Sequence, residues 1–246
     1  MQPNIDKLKQ IEQRDKKISD NLAKIKNRIV IFSGKGGVGK TTVSVNLSYS
    51  LLKHNKKVGL LDADITGPNV PKMVGAEDIP IMSGEAKQIK PQLKENLQII
   101  SIAPMIPKDN PVIWRGPLRS ATISQFLADV QWGELDYLLA DLPPGTGDEV
   151  LTINQQMKPQ LAVVVTTPQE VSLMDCKRAV NMAKKMDIAK IAVVENMSGL
   201  VCPHCDKTID IWGSGGGELM AKELNLGFLG KIPMEMEARN CCDKGT

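Results

Sequence analysis

IFSGKGGVGKTTVSVNL, running from Ile31 to Leu47, is the segment on which the fold turns. It contains Gly34-x-x-x-x-Gly39-Lys40-Thr41, the spacing at which a glycine-rich loop cradles phosphate between a strand and a helix. The apolar run before the loop reads as that strand, and the residues after it read as that helix. Backbone N–H groups of Gly34, Lys35, Gly36, Gly37, Val38 and Gly39, with the helix N-terminus behind them, offer a fixed positive potential to a phosphate chain. Lys40 is expected on the β- and γ-phosphates, the Thr41 hydroxyl on Mg²⁺, and Thr42 beside it in the first helical turn. A second lysine, Lys35, follows the first glycine, where a loop already holding Lys40 has no evident need of it.

Outward from this loop, short apolar runs alternate with helical stretches. RIVIFS, KVGLLDAD, LQIISIA, DYLLADLPP, LAVVVTTP, KIAVVEN and GFLGKIP read as buried strands, with helices near 40–53, 116–130, 170–186 and 214–225. Near-continuous β-branched strands separated by helices indicate an α/β chain, a mostly parallel sheet with helices on both faces. Loops and insertions are expected from Gly67 to Pro117, where Pro and Gly concentrate. Residues 1–27 carry Ile5, Leu8, Ile11, Ile18, Leu22 and Ile25 at roughly helical spacing amid many charges, and read as an amphipathic helix or two short ones, docked or frayed, most simply a solvated helical extension preceding a domain of residues 28–246.

Ligands of open α/β sheets gather at the carboxyl ends of the strands. Asp62 and Asp64 end one such strand beside a Gly-Pro loop, and Asp141 ends another beside PPGTGD. Each is expected at the nucleotide, with Asp141 as the acid of the metal's outer shell. Asp148 reads equally well as the N-cap of a helix.

The chain has 246 residues, a net charge of +3 and 3% aromatic residues. That length suits one large domain, and neither the charge nor the aromatic content suits a nucleic-acid partner. No apolar run is long enough to span a bilayer, so no membrane partner is expected and the expected location is the cytoplasm. There the five cysteines are reduced thiols. Cys202-Pro203-His204-Cys205 sets two thiolates within reach of one soft metal, in a metal-binding loop near 197–213. One pair supplies two ligands, where tetrahedral zinc or a 4Fe–4S cluster wants four, and no second Cys-x-x-Cys exists. Two subunits related by a two-fold axis would complete the shell. A redox dithiol is the weaker reading, and His204, between the two ligands, is expected to point away. Cys176 reads as a packed helical residue. The adjacent Cys241 and Cys242 are poor chelators of one ion.

GKGGVGKT resembles the deviant Walker A loop of the MinD/ParA/nitrogenase-iron-protein class of P-loop ATPases, which implies their three-layer architecture. In that class the lysine at the position of Lys35 reaches across a dimer to the other subunit's nucleotide, so that Lys40 serves its own site and Lys35 its partner's. LLDADITGPNVPKMVG, VIWRGP, WGELDYLLADLPPGTGDEVLT, VVVTTPQEVSLMD, VVENMSGLVCPHC and GSGGGELMAKELNLGFLGKIP together resemble the Mrp/ApbC family of iron–sulfur cluster carrier ATPases, over about Arg28 to Gly245. The resemblance implies a homodimer that binds ATP and Mg²⁺, holds a 4Fe–4S cluster on Cys202 and Cys205 of both chains, with Zn²⁺ as a possible substitute, and passes the cluster to apo-proteins. It implies catalytic roles for Lys35, Lys40, Asp64 and Asp141, Asp64 positioning water, and base recognition by Asn196 with Pro233 near the adenine. Some relatives carry a further N-terminal four-cysteine motif, whereas here no cysteine precedes Cys176. Relatives usually continue into a final helix beyond the position of Thr246. The rival readings are a MinD/ParA-like positioning ATPase and a zinc-bridged structural dimer with a vestigial ATPase.

Overall fold

The computed structural model describes residues 3–83, 88–106 and 114–246, without the side chains of residues 3–7 and 83. Val112 and Ile113 of the VIWRGP motif lie outside the described residues, as does the side chain of Ile5. The first half runs α1 (Pro3–Leu22), β1 (Ile25–Phe32), α2 (Lys40–Lys53), β2 (Val58–Asp62), α3 (Val70–Met73), β3 (Met82–Ser83), β4 (Ile89–Lys90), β5 (Gln92–Lys94) and β6 (Leu97–Ile100). The second runs α4 (Gly116–Asp129), β7 (Leu135–Asp141), α5 (Asp148–Met157), β8 (Leu161–Thr166), α6 (Glu170–Lys185), β9 (Lys190–Val201), β10 (Thr208–Ile209), α7 (Gly216–Glu223), β11 (Gly227–Met234) and α8 (Met236–Lys244).

Nine of these strands form one sheet in the order β10-β9-β8-β1-β7-β2-β6-β5, with β11 on the free flank of β9. Only β5 against β6 and β10 against β9 run antiparallel. β3 and β4 pair separately. Because side chains alternate along a strand, each central strand feeds two cores. Val30, Phe32, Leu138, Ala140, Ala162 and Val164 pack toward α1, α4, α5, α6 and α7. Ile29, Ile31, Leu60, Leu139, Val163 and Val165 pack toward α2 and α3. The expected three layers, helix–sheet–helix, are present.

Two expectations need correction. The N-terminal segment is not merely solvated: Ile18 and Leu22 are buried in the core with Phe126 and Leu127 of α4. Asn21 Nδ2 also donates to the Leu127 and Ala128 carbonyls at 3.2 and 2.8 Å. Those carbonyls close α4 and lack helical partners of their own. Ile25 already belongs to β1, so the domain begins before Arg28. Farther toward the N-terminus of α1, Leu8 is 55% exposed. Second, β11 is a strand but not a buried one, since it lies at the sheet edge with Leu229 and Ile232 exposed. Among the described residues no helix is long and apolar enough to cross a membrane.

Candidate functional site

The parallel registers bring the carboxyl ends of β1, β2 and β7 level. Asp141 is opposite Ile31 on one side and Asp62 on the other, and the phosphate-type loop leaves β1 directly above. Gly37 and Gly39 hold φ of 80° and 81°, left-handed values that turn successive N–H groups to one side. Gly34 is fixed by contact instead: a Cβ there would lie 2.2 Å from the carbonyl of Asp175 in α6. The first glycine is therefore where the loop rests on a helix backbone.

Lys40 and Asp141 are both buried, and Lys40 Nζ lies 2.7 Å from Asp141 Oδ2. The same oxygen accepts from Thr41 Oγ1 at 2.7 Å, and Oδ1 accepts from Ser44 Oγ at 2.6 Å. Lysine, hydroxyl and carboxylate therefore converge where the spacing places phosphate and Mg²⁺, and this donor set fits a magnesium nucleotide. Thr42 is half-buried in the same turn.

Asp62 is also buried. Its Oδ2 accepts from Val70 N at 3.2 Å and Ser101 Oγ at 3.0 Å, and its Oδ1 from Asp64 N at 3.3 Å. Burial, reinforced by the charge of Asp141, pushes this carboxyl up to about 8 against the opposing pull of Lys40, Ser101 and Val70. Asp64 stands at the surface of the cluster and folds over its own loop, its Oδ1 accepting from Thr66 Oγ1 at 3.0 Å and Gly67 N at 3.2 Å. Lys35 is brought to none of these groups. Its side chain is exposed, and only its carbonyl is engaged, by Ser33 Oγ at 2.9 Å.

β9 supplies the other wall. Asn196 Nδ2 donates to the Val38 carbonyl of the loop at 2.9 Å, and Pro233 follows Ile232, which stands in register with Asn196 on β11. Farther along, β9 and β10 close a hairpin in which Cys202 N donates to Lys207 O and Asp206 N to Cys202 O, each at 3.0 Å. Backbone N–H groups of His204 and Cys205, with the Cys205 thiol, hold the Cys202 thiol below its ordinary range. Such donors favour the thiolate, the form that binds metal. His204 thus contributes its backbone. Among the described residues no group of three or more His, Cys, Asp or Glu is gathered to hold a metal, so one chain offers this pair alone.

Cys176 is buried in α6, its thiol pushed up to about 12 by burial, and is inert packing. Cys241 and Cys242 are half-buried in α8, with burial raising Cys242. Asp148 is the first residue of α5 rather than its N-cap, which is Gly147. Sequence reasoning overlooked Ser44, Ser101 and Glu195. The usable signals were a hydroxyl one turn after Lys40, and a lone acid in the apolar run KIAVVEN.

A family model described as ParA, the NUBPL iron-transfer P-loop NTPases, matches residues 24–246. The chain is 55% identical over 243 residues to the iron–sulfur cluster carrier protein of Methanocaldococcus jannaschii, covering 98% of this chain and 83% of that one. It is 43% identical to the cytosolic Fe–S cluster assembly factor NUBP2 homolog of Dictyostelium discoideum, over 90% of this chain and 86% of that one. A solved nucleotide-binding protein from Archaeoglobus fulgidus in complex with ADP superposes with a TM-score of 0.83 at 38% identity, covering 94% and 91% of the two chains. The septum site-determining protein MinD of Pyrococcus horikoshii, complexed with Mg-ADP, gives 0.62 at 26%, covering 89% and 86%.

Proposed function

The chain belongs to the NUBPL iron-transfer P-loop NTPases of the ParA family, and on that premise we propose that it is an iron–sulfur cluster carrier. It works as a homodimeric ATPase that holds a 4Fe–4S cluster as cargo between the Cys202/Cys205 hairpins of two copies and releases it to apo-proteins in the cytoplasm. The observation that carries this reading is the hairpin itself: two thiols on a tight turn, one steadied toward thiolate by backbone N–H groups, and no third ligand gathered with them among the described residues. A second copy supplies the missing half of a four-sulfur shell. The same four sulfurs accept Zn²⁺, which is a substitute in protein handled in air.

On the nucleotide side, Gly34 to Thr42 bind ATP, with Lys40 on the phosphates and Thr41 on Mg²⁺. Magnesium there would offset phosphate charge, and Asp141, hydrogen-bonded to Thr41, is placed to steady its outer shell. Asp62 braces the start of α3 and so holds the loop that carries Asp64, and Asp64 would orient the attacking water. Asn196 Oδ1 and Pro233 are assigned to the base. Lys35, exposed and clear of its own cluster, completes the partner's site, a cation that arrives only when two subunits close on ATP. A MinD-like positioning role would leave the cysteine hairpin without a task.

Iron and sulfide counts after anaerobic reconstitution test the reading. A cluster shared by two chains gives about two irons per chain, and Cys202→Ser or Cys205→Ser abolishes it and weakens the dimer, whereas serine at both Cys241 and Cys242 changes little. Iron retained in Cys202→Ser, or lost only from the Cys241/Cys242 variant, overturns it.

A further inference from the structure

Asn196 and Glu195 are neighbours on β9, and consecutive strand residues face opposite ways. Asn196 reaches back to the phosphate loop, where Nδ2 donates to Val38 O, and the fit is close enough that a Cβ on Gly39 would lie 2.2 Å from that nitrogen. Glu195 is fully buried and binds in the other direction. Its Oε1 accepts from Ser198 Oγ at 2.6 Å and Gly215 N at 2.8 Å, and its Oε2 accepts from Gly217 N at 2.5 Å. Ser198 precedes the cysteine hairpin and Gly215 follows it, and the Ser198 and Ser214 hydroxyls lie 3.2 Å apart. One carboxylate therefore ties together both legs of the segment that presents Cys202 and Cys205. It also sits at the N-terminus of α7, whose unpaired N–H groups and dipole favour a negative charge. Between Glu195 and the cysteines, β9 carries two left-handed residues, Met197 at φ 56° and Gly199 at φ 82°, so this stretch is not a simple extended strand.

We infer that Glu195 is a positioning residue that couples the nucleotide loop to the cysteine hairpin. The inference rests on the proposed pairing of a nucleotide site with a soft-metal site, and it supplies the mechanical link between them. A shift of Val38 when phosphates fill the loop moves Asn196. Glu195, next on the same strand, carries that displacement to both legs of the hairpin at once. Glutamine at position 195 keeps the size and one acceptor oxygen, but in either orientation turns its NH₂ group toward a backbone N–H, that of Gly215 or of Gly217, so the leg that follows the hairpin loses one of its two bonds.

Alkylation of Cys202 and Cys205 by iodoacetamide, followed by peptide mass analysis of the full-length apoprotein with and without Mg-ADP or a non-hydrolysable ATP analogue, reads the coupling without any cluster. In the unmodified chain, nucleotide is expected to change the alkylation rate by about fivefold or more, the low end of ordinary coupling between sites. In Glu195→Gln the ratio falls to about one while nucleotide affinity stays within about twofold. Ser198→Ala, which releases only the leg leading into the hairpin, gives an intermediate ratio and keeps the test available should Glu195→Gln fold poorly. A wild-type ratio in either variant overturns the inference, because protection by dimerisation alone would persist in both. So does a nucleotide-insensitive rate in the unmodified chain. Failure of the carrier reading appears separately, as absence of iron after reconstitution.

Discussion

Lys40 Nζ lies 2.7 Å from Asp141 Oδ2, a buried ion pair that occupies the lysine proposed to bind phosphate. If Lys40 binds phosphate as proposed, nucleotide exchanges a phosphate for a carboxylate on it. Asp141→Asn leaves the buried ammonium without its counter-charge, which destabilises the apoprotein by about 3–5 kcal/mol. The same change is expected to tighten ADP binding in the presence of chelator and to lower Mg-ATP hydrolysis by about 10- to 100-fold, the ordinary cost of losing a group behind a metal. Urea unfolding, calorimetry and phosphate release check the three effects. Weaker ADP binding under chelator would refute the exchange.

Lys35 is exposed and unattached while Lys40 is buried. Lys35→Ala is expected to leave ATP affinity unchanged within experimental spread and to reduce hydrolysis by about a thousandfold, as for a cation supplied in trans. Specific activity of the unmodified protein should also rise with concentration through the monomer–dimer range. Wild-type turnover in Lys35→Ala would end the composite-site idea.

Asp62 gives the stability a pH slope. Its folded carboxyl titrates at about 8 against an ordinary 3.8, so between those values the folded chain holds a proton that the unfolded chain has lost. Stability therefore falls as pH climbs from about 4 to about 8 and levels off above, with a slope of up to about 1.4 kcal/mol per pH unit. Asp62→Asn flattens that slope. Denaturant midpoints taken across this window, with and without the substitution, decide it. Parallel curves would show that Asp62 ionises normally.

The two ends of α1 should answer mutation differently. Leu22→Ala opens a cavity in the core and is expected to cost about 2–5 kcal/mol. Leu8→Ala, at an exposed site, stays within about 0.5 kcal/mol. Chemical denaturation of both variants checks it, and equal effects would return the helix to the status of a loose extension.

The phosphate loop and the strand-end aspartates were legible because their chemistry is local: glycine spacing, a following helix, and an acid at the end of an apolar run. The apolar spacing of Ile18 and Leu22 is visible in α1, but their docking is not, because it depends on α4, more than a hundred residues away. β11 was misjudged because an apolar run cannot say whether a strand lies inside a sheet or at its edge. Asp62 and Asp141 were seen as ligands, but not as a coupled buried pair, since that follows from the β2–β7 register alone. Glu195 was invisible as a clamp because two of its three donors are backbone groups, which no side-chain motif announces.

The central place of β1 also governs how the chain is made. Its neighbours are β7 and β8, and the contacts that seat it join residues 110 and 132 positions apart. At ordinary translation speeds the ribosome needs on the order of 5–25 s to cover such a span. Through that interval β1 has both flanks open, which is the condition under which chains stick to one another. The centre of the sheet is therefore closed late, when β7 and β8 have emerged to take their places on either side of β1.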